Sequence, residues 1–110
     1  MDIQQLEKEI ISEFEIFDNW MDKYEYIIEL GKELPIIEEE YKTEENLIKG
    51  CQSRVWLHAK FENNKVAYFA DSDAIITKGI IALLIRVLNF QNTKDIVETK
   101  LEFINIIGLT

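Results

Sequence analysis

The chain has 110 residues and a formal net charge of −9, from 21 Asp and Glu against 12 Lys and Arg. That length fits one domain, and an apolar share of 47% supplies one ordinary core, which excludes a disordered chain. One Cys and one His cannot build a four-ligand zinc or iron–sulfur site, a lone Cys cannot close an intrachain disulfide, and an acidic chain lacks the basic footprint of a nucleic-acid binder.

In chain order, Ile3, Leu6, Ile10, Phe14 and Phe17 recur at spacings of three and four, the mark of one helical face, with Asp2 as its N-cap. Asp18-Asn19 interrupts the pattern and caps a second helix through Trp20, Tyr24, Ile27, Ile28 and Gly31. Pro35 should end that helix near Leu34, because the residue before Pro is pushed out of the helical region. The acidic N-terminus is wrong for a signal or transit peptide. A polar connection, Glu38 to Asn46, follows. Residues 1–46 hold 15 acids and 4 bases, whereas residues 47–110 hold 6 acids and 8 bases. The acidic half reads first as solvated helix faces, and otherwise as a surface that steers a basic partner.

The period then changes from helical to two. Val55, Leu57, Ala59 and Phe61 alternate with Arg54, Trp56, His58 and Lys60, which predicts a half-buried strand over 53–61. Asn63-Asn64 is a turn signal, and 65–70 forms the second strand of a hairpin. Leu47-Ile48-Lys49 reads as a short strand before it. Asp71-Ser72-Asp73 is rich in helix-capping residues. The stretch from Ala74 to about Leu88 is apolar on nearly every side, which predicts a buried central helix, with Gly79 allowing close packing. Asn92-Thr93 caps a short helix, and Leu101, Ile104, Ile106 and Ile107 form a last apolar segment. The longest apolar run, Ile80 to Ile85, is far short of a bilayer span of roughly 20 residues, so a soluble, cytoplasmic protein with no membrane partner is expected.

One constellation carries chemistry: Gly50-Cys51-Gln52-Ser53. A structural Cys usually sits within an apolar run, whereas Cys51 lies between a Gly and a Gln at the junction of two apolar segments, a loop composition. Gly50 permits a tight turn there and leaves the thiol uncrowded. Thiol chemistry needs the thiolate, and Lys49 and Arg54, which bracket the loop, are candidates to favour it, or ordinary strand-edge charges. A hydrolase or transferase would need a base beside Cys51, and His58 is the sole candidate, although a solvent-facing His is the better reading of its position. Asp71 and Asp73 read by composition as helix caps.

The string from Asn46 to Leu57, NLIKGCQSRVWL, closely resembles the signature of the SufE family of sulfur acceptors. The resemblance runs on through Asp71-Ser72-Asp73-Ala74 and Lys78-Gly79-Ile80-Ile81-Ala82, and appears earlier in Trp20 to Gly31 and Leu34-Pro35. It implies one SufE/IscU-like α/β (α+β) domain over residues 1–110, an antiparallel sheet with helices packed against it. It also implies that Cys51 takes persulfide sulfur from a PLP-dependent, SufS-like cysteine desulfurase and passes it to the Suf scaffold for iron–sulfur cluster assembly. By the same resemblance Gly50, Gln52 and Ser53 shape the loop and Asp73 lies near it. No cofactor, metal or nucleic acid is expected on the chain itself. Family members usually continue past a Leu-Ser/Thr-Pro segment into a further C-terminal helix, which would begin where this sequence reaches Gly108-Leu109-Thr110. Two other classes stay open: a Cys-dependent hydrolase or transferase using Cys51 and His58, and a non-catalytic acidic adaptor.

Overall fold

Asp2 opens the first helix, α1 (Ile3–Phe14), through a capping box. Its carboxylate accepts from the Gln5 amide at 2.8 Å, and the Gln5 side chain accepts from the Asp2 amide at 3.0 Å. The computed structural model describes residues 2–48, 53–101 and 103. Ile3, Ile10 and Phe14 bury one face of α1. Phe17 lies past the helix end, yet keeps its place by packing on the Phe14 and Tyr26 rings.

Asn19 caps α2 (Trp20–Gly31) by accepting from the Asp22 amide at 2.9 Å. The helix ends three residues before the expected Leu34. Its exit tightens instead: the amides of Lys32, Glu33 and Leu34 each bond the carbonyl three residues back, so the chain is already off the α-helical path when it reaches Pro35.

The hairpin pairs β1 (Val55–Glu62) with β2 (Lys65–Ser72) in register from Val55↔Ser72 to Glu62↔Lys65. β1 starts two residues later than expected, leaving Ser53 and Arg54 outside it, and β2 runs two residues further. Asn63 and Asn64 hold φ of 52° and 64°, the pair of left-handed residues that a two-residue hairpin turn demands. A third strand, β3 (Gln91–Asn92), pairs antiparallel with Lys65 and Val66, which gives the order β1-β2-β3. The turn into it passes through Phe90 at φ 61°. Asn92 does double duty, since its side chain caps α4 (Thr93–Glu98) by accepting from the Asp95 amide at 2.8 Å.

Between α2 and β1 the chain forms a strap, residues 35–48, that crosses the sheet. At one end Pro35 and Ile37 bond Ala70 on β2; at the other, Leu47 bridges Trp56, and the Ile48 amide donates to the Val55 carbonyl at 2.8 Å. Two 3-10 turns, Glu39–Tyr41 and Glu44–Asn46, occupy the middle of the strap.

The helix α3 (Ile75–Leu88) is the shared wall of the molecule. Leu83 and Val87 join Ile3, Ile10, Phe14, Ile27, Leu30 and Phe103 in one apolar cluster, while Ile85 joins Leu34 and Ala70 in a second, against the sheet. Gly79 meets the backbone of Ile27, so α2 and α3 approach closely where the sequence placed a glycine. The expectation of a helix buried on all sides needs correction: Gly79, Leu83, Ile85 and Val87 are buried, but Ile75 is exposed, and Ile81, Leu84 and Leu88 border an open groove. The helix is apolar all round because it faces two clusters and that groove. Arg86, on its last turn, reaches back to α1, where it donates to Glu13 and, at 2.8 Å, to Glu9; Tyr26 donates to the same Glu13 carboxylate. Of the last apolar segment, Leu101 borders the first cluster, and Ile104, Ile106 and Ile107 lie outside the described residues.

Candidate functional site

Cys51, Gly50 and Gln52, with Lys49, lie outside the described residues. The residues on either side of them are described, and each side is held. Before the segment, Ile48 is bonded to Val55 and Leu47 bridges Trp56. After it, Ser53 forms a half-buried bend and Arg54 is exposed. Among the described residues it is the Arg54 backbone that is engaged. The Arg54 amide donates to Asp73 Oδ1 at 3.0 Å, and the Asp73 amide donates to the Arg54 carbonyl at 3.2 Å. The N-cap of α3 is Ala74, with no side-chain capping bond, so neither Asp71 nor Asp73 caps the helix. The Ala74 amide donates instead to Ser72 Oγ at 3.2 Å.

The ends of the segment stand beside an apolar groove of about 280 Å³ between the sheet and α3. Ile48 and Val55 line its near end, and Leu57, Tyr68, Ile81, Leu84 and Leu88 continue it. Strand alternation explains the lining: Val55 and Leu57 point to the α3 side, and Trp56, His58 and Lys60 to the other.

On that other face the strap lies over the sheet. Tyr41 stacks flat on His58, with ring centroids 4.0 Å apart and planes 10° from parallel. The reading of His58 as solvent-facing is therefore corrected: it is half-buried, its ring used in stacking. Lys42 Nζ stands 2.7 Å from Asp71 Oδ2, 3.1 Å from Glu39 Oε1 and 5.5 Å from the Trp56 ring centroid, while Lys78 Nζ is 3.4 Å from Asp71 Oδ1. Burial alone would raise the Asp71 carboxyl; hydrogen bonds from Lys42 and the Ser72 amide, with the charge of Lys78, outweigh it and hold the group below the ordinary carboxylate value. Lys42 is pushed above its ordinary value, first by the bond to Asp71 and then by Glu39. Sequence reasoning missed this cluster. Its one trace was Lys42 itself, a single cation inside the run Glu38 to Asn46.

The arrangement is that of an α+β protein in which a cysteine-bearing segment is tied at both ends beside an apolar groove. The profile of the SufE Fe–S metabolism associated domain matches residues 8–110, and the chain belongs to the SufE family. An uncharacterized SufE-like protein of Rhizobium meliloti (strain 1021) is 36% identical over 104 residues, which cover 91% of this chain and 73% of the relative. The cysteine desulfuration protein SufE of Wigglesworthia glossinidia brevipalpis is 41% identical over 75 residues, 67% of this chain and 52% of that protein. The chloroplastic/mitochondrial SufE-like protein 1 of Arabidopsis thaliana is 36% identical over 115 residues, 98% of this chain and 31% of that longer protein. No helix among the described residues is long and apolar enough to cross a membrane.

Proposed function

We propose that this chain is a sulfur acceptor for a SufS-like cysteine desulfurase, with Cys51 as the accepting thiol, and that it hands the sulfur to the Suf scaffold for iron–sulfur cluster assembly. The Cys51 thiolate attacks the outer sulfur of the desulfurase persulfide. A new S–S bond forms on Cys51, the donor S–S bond breaks, and the donor sulfur leaves as a thiolate. The outer sulfur keeps its proton and no net oxidation occurs. Discharge to the scaffold repeats the exchange with Cys51 as the leaving thiolate. In this reading PLP belongs to the partner, and the chain carries no cofactor or metal of its own. A reducing compartment, the cytoplasm or an organelle interior, suits its single thiol.

The observation that carries the reading is the tethering of both ends of the cysteine segment, Ile48 by Val55 and Arg54 by Asp73, at the mouth of an almost wholly apolar groove. A persulfide is labile in water, and apolar surroundings slow its loss. Within the family motif, Gly50, Gln52 and Ser53 shape the segment and Asp73 fixes its exit. The hydrolase reading is weaker, because the His58 ring lies against Tyr41 on the face away from the groove.

Incubation with a SufS-like desulfurase and cysteine, followed by intact-mass and peptide analysis, tests the proposal. The expected product carries one added sulfur on Cys51. Cys51→Ser should abolish uptake while changing stability by no more than about 1 kcal/mol. Undiminished stimulation of the desulfurase by the Ser variant would support an adaptor instead, and turnover without a partner would support the hydrolase.

A further inference from the structure

The Lys42–Asp71–Lys78 cluster is so far unexplained by the chemistry at Cys51. Lys32–Glu29 is an ordinary surface ion pair: both side chains are about two-thirds exposed on one helical turn, and such pairs contribute little. Lys42–Asp71 differs in two respects. Its side chains are only 19% and 15% exposed, and it joins the strap to the sheet rather than near neighbours to each other. The Lys42 ammonium also stands over the ring of Trp56, the residue that Leu47 bridges. The middle of the strap is thus fixed six residues before Ile48. Two positions beyond Asp71, Asp73 holds the Arg54 amide. One short stretch at the end of β2 therefore grips the chain entering the cysteine segment, through Lys42, and the chain leaving it, through Arg54.

We propose that Lys42 is a positioning residue for sulfur transfer: its ion pair with Asp71 fixes where the strap ends at Ile48, and so how Cys51 is presented to its partner. The proposal rests on the reading of Cys51 as sulfur acceptor.

The informative variant is Lys42→Met. It keeps an unbranched side chain of nearly the same length and removes the ammonium, and with it both the bond to Asp71 and the contact with the Trp56 ring. Asp71 keeps Lys78, so no covered carboxylate is left without a cation. Asp71→Asn removes the other half of the pair and leaves Lys42 with Glu39. Two readouts are needed. In amide hydrogen exchange on the full chain, the Ile48 amide should exchange at least tenfold faster in Lys42→Met, while the Ile37 amide, bonded to Ala70 at the far end of the strap, changes less than twofold. In desulfurase assays the maximal rate of sulfur uptake should fall about tenfold with little change in the concentration giving half-maximal rate, and Lys42→Arg should restore it to within twofold. Asp71→Asn should reproduce the defect, and the double variant should be no worse than either single one.

An unchanged Ile48 exchange rate would overturn the proposal. So would wild-type sulfur uptake in a variant whose Ile48 amide is released, or an Arg variant as slow as the Met variant. If the parent chain takes up no sulfur, the reading of Cys51 falls, and the exchange experiment still decides whether Lys42 holds the strap.

Discussion

Replacing Gly79 with Ala sets two effects of opposite sign against each other. In an exposed helix interior the change would stabilise the chain by about 1 kcal/mol, because Ala loses less backbone entropy. Here a methyl built on Gly79 would stand 2.8 Å from the Ile27 carbonyl carbon and nearer still to its oxygen and Cγ2. The obstruction is mainly backbone, so no side-chain rotation relieves it; α2 and α3 must separate. Overpacking of a tight core costs about 1–3 kcal/mol, and a backbone obstruction belongs at the upper end of that range. The net expectation is a loss of about 2 kcal/mol, or a fall of about 8 °C in Tm for a chain of this size. Gly31→Ala is the internal comparison. Its methyl would meet Gly79 N at 3.1 Å, a contact relieved by a few tenths of an ångström, so its net effect should stay within about 1 kcal/mol. Urea unfolding of the three proteins measures the difference. A Gly79→Ala variant more stable than the parent would refute the claim that this glycine is there for close packing.

Acid should weaken the fold through Glu13 and Asp71. Hydrogen bonding from Arg86, helped by Tyr26 and opposed by burial, holds the Glu13 carboxyl below its ordinary value, and Asp71 is lowered as described above. A depressed folded value means that the stability is fully present above about pH 5 and is lost as pH falls below about 4 toward the folded values. The urea midpoint should drop over that window, less steeply in Asp71→Asn; a midpoint level from about pH 6 to about pH 3 would contradict the assignment. At the alkaline end, burial and then the bond to Glu13 push the Tyr26 hydroxyl up to about 12. Its contribution should be fully present below about pH 10 and disappear as pH rises from there through about 12. Phenolate absorbance should show a late step that Tyr26→Phe removes, and an unchanged late step in that variant would assign it elsewhere.

The local elements were legible because each has a local cause. Asp2 and Asn19 cap the helices their positions announced, Asn63-Asn64 takes the left-handed turn its composition favours, and Gly79 marks a real close approach. The misses share another origin. The two-residue β3 exists only because Lys65 and Val66 offer it an edge, and periodicity cannot register so short a pairing. His58 looked solvent-facing because strand alternation reveals the side of a residue but not what covers that side. The covering element is the strap, whose polar, acidic sequence held no sign beyond the single cation Lys42 that Tyr41 and Lys42 lie on the sheet. At the site, the motif singled out a cysteine segment that lies outside the described residues, and for Asp73 the capping half of the reading fails. A carboxylate just before a helix is ordinarily a cap, and this one was drawn away by the Arg54 amide from a chain 19 residues earlier.

The strap also imposes an order of assembly. β1 and β2 join through a two-residue turn, so their eight pairs form between neighbours at little cost in loop closure. The strap as a whole has no such local partner. One end needs Ala70 on β2 and the other needs Val55 and Trp56 on β1, so it cannot lie across the sheet until the hairpin has brought the two strands together. It is therefore a late-forming layer over an early one, and in reverse it is the first to detach. Proteins open by such cooperative units at free energies below that of global unfolding. The chain beside Cys51 thus belongs to a unit that can lift while the hairpin and both apolar clusters stay folded. Ile48 exchange more protected than that of the central hairpin amides would refute this order. Mild denaturant should therefore release Ile48 before it opens the hairpin or either apolar cluster.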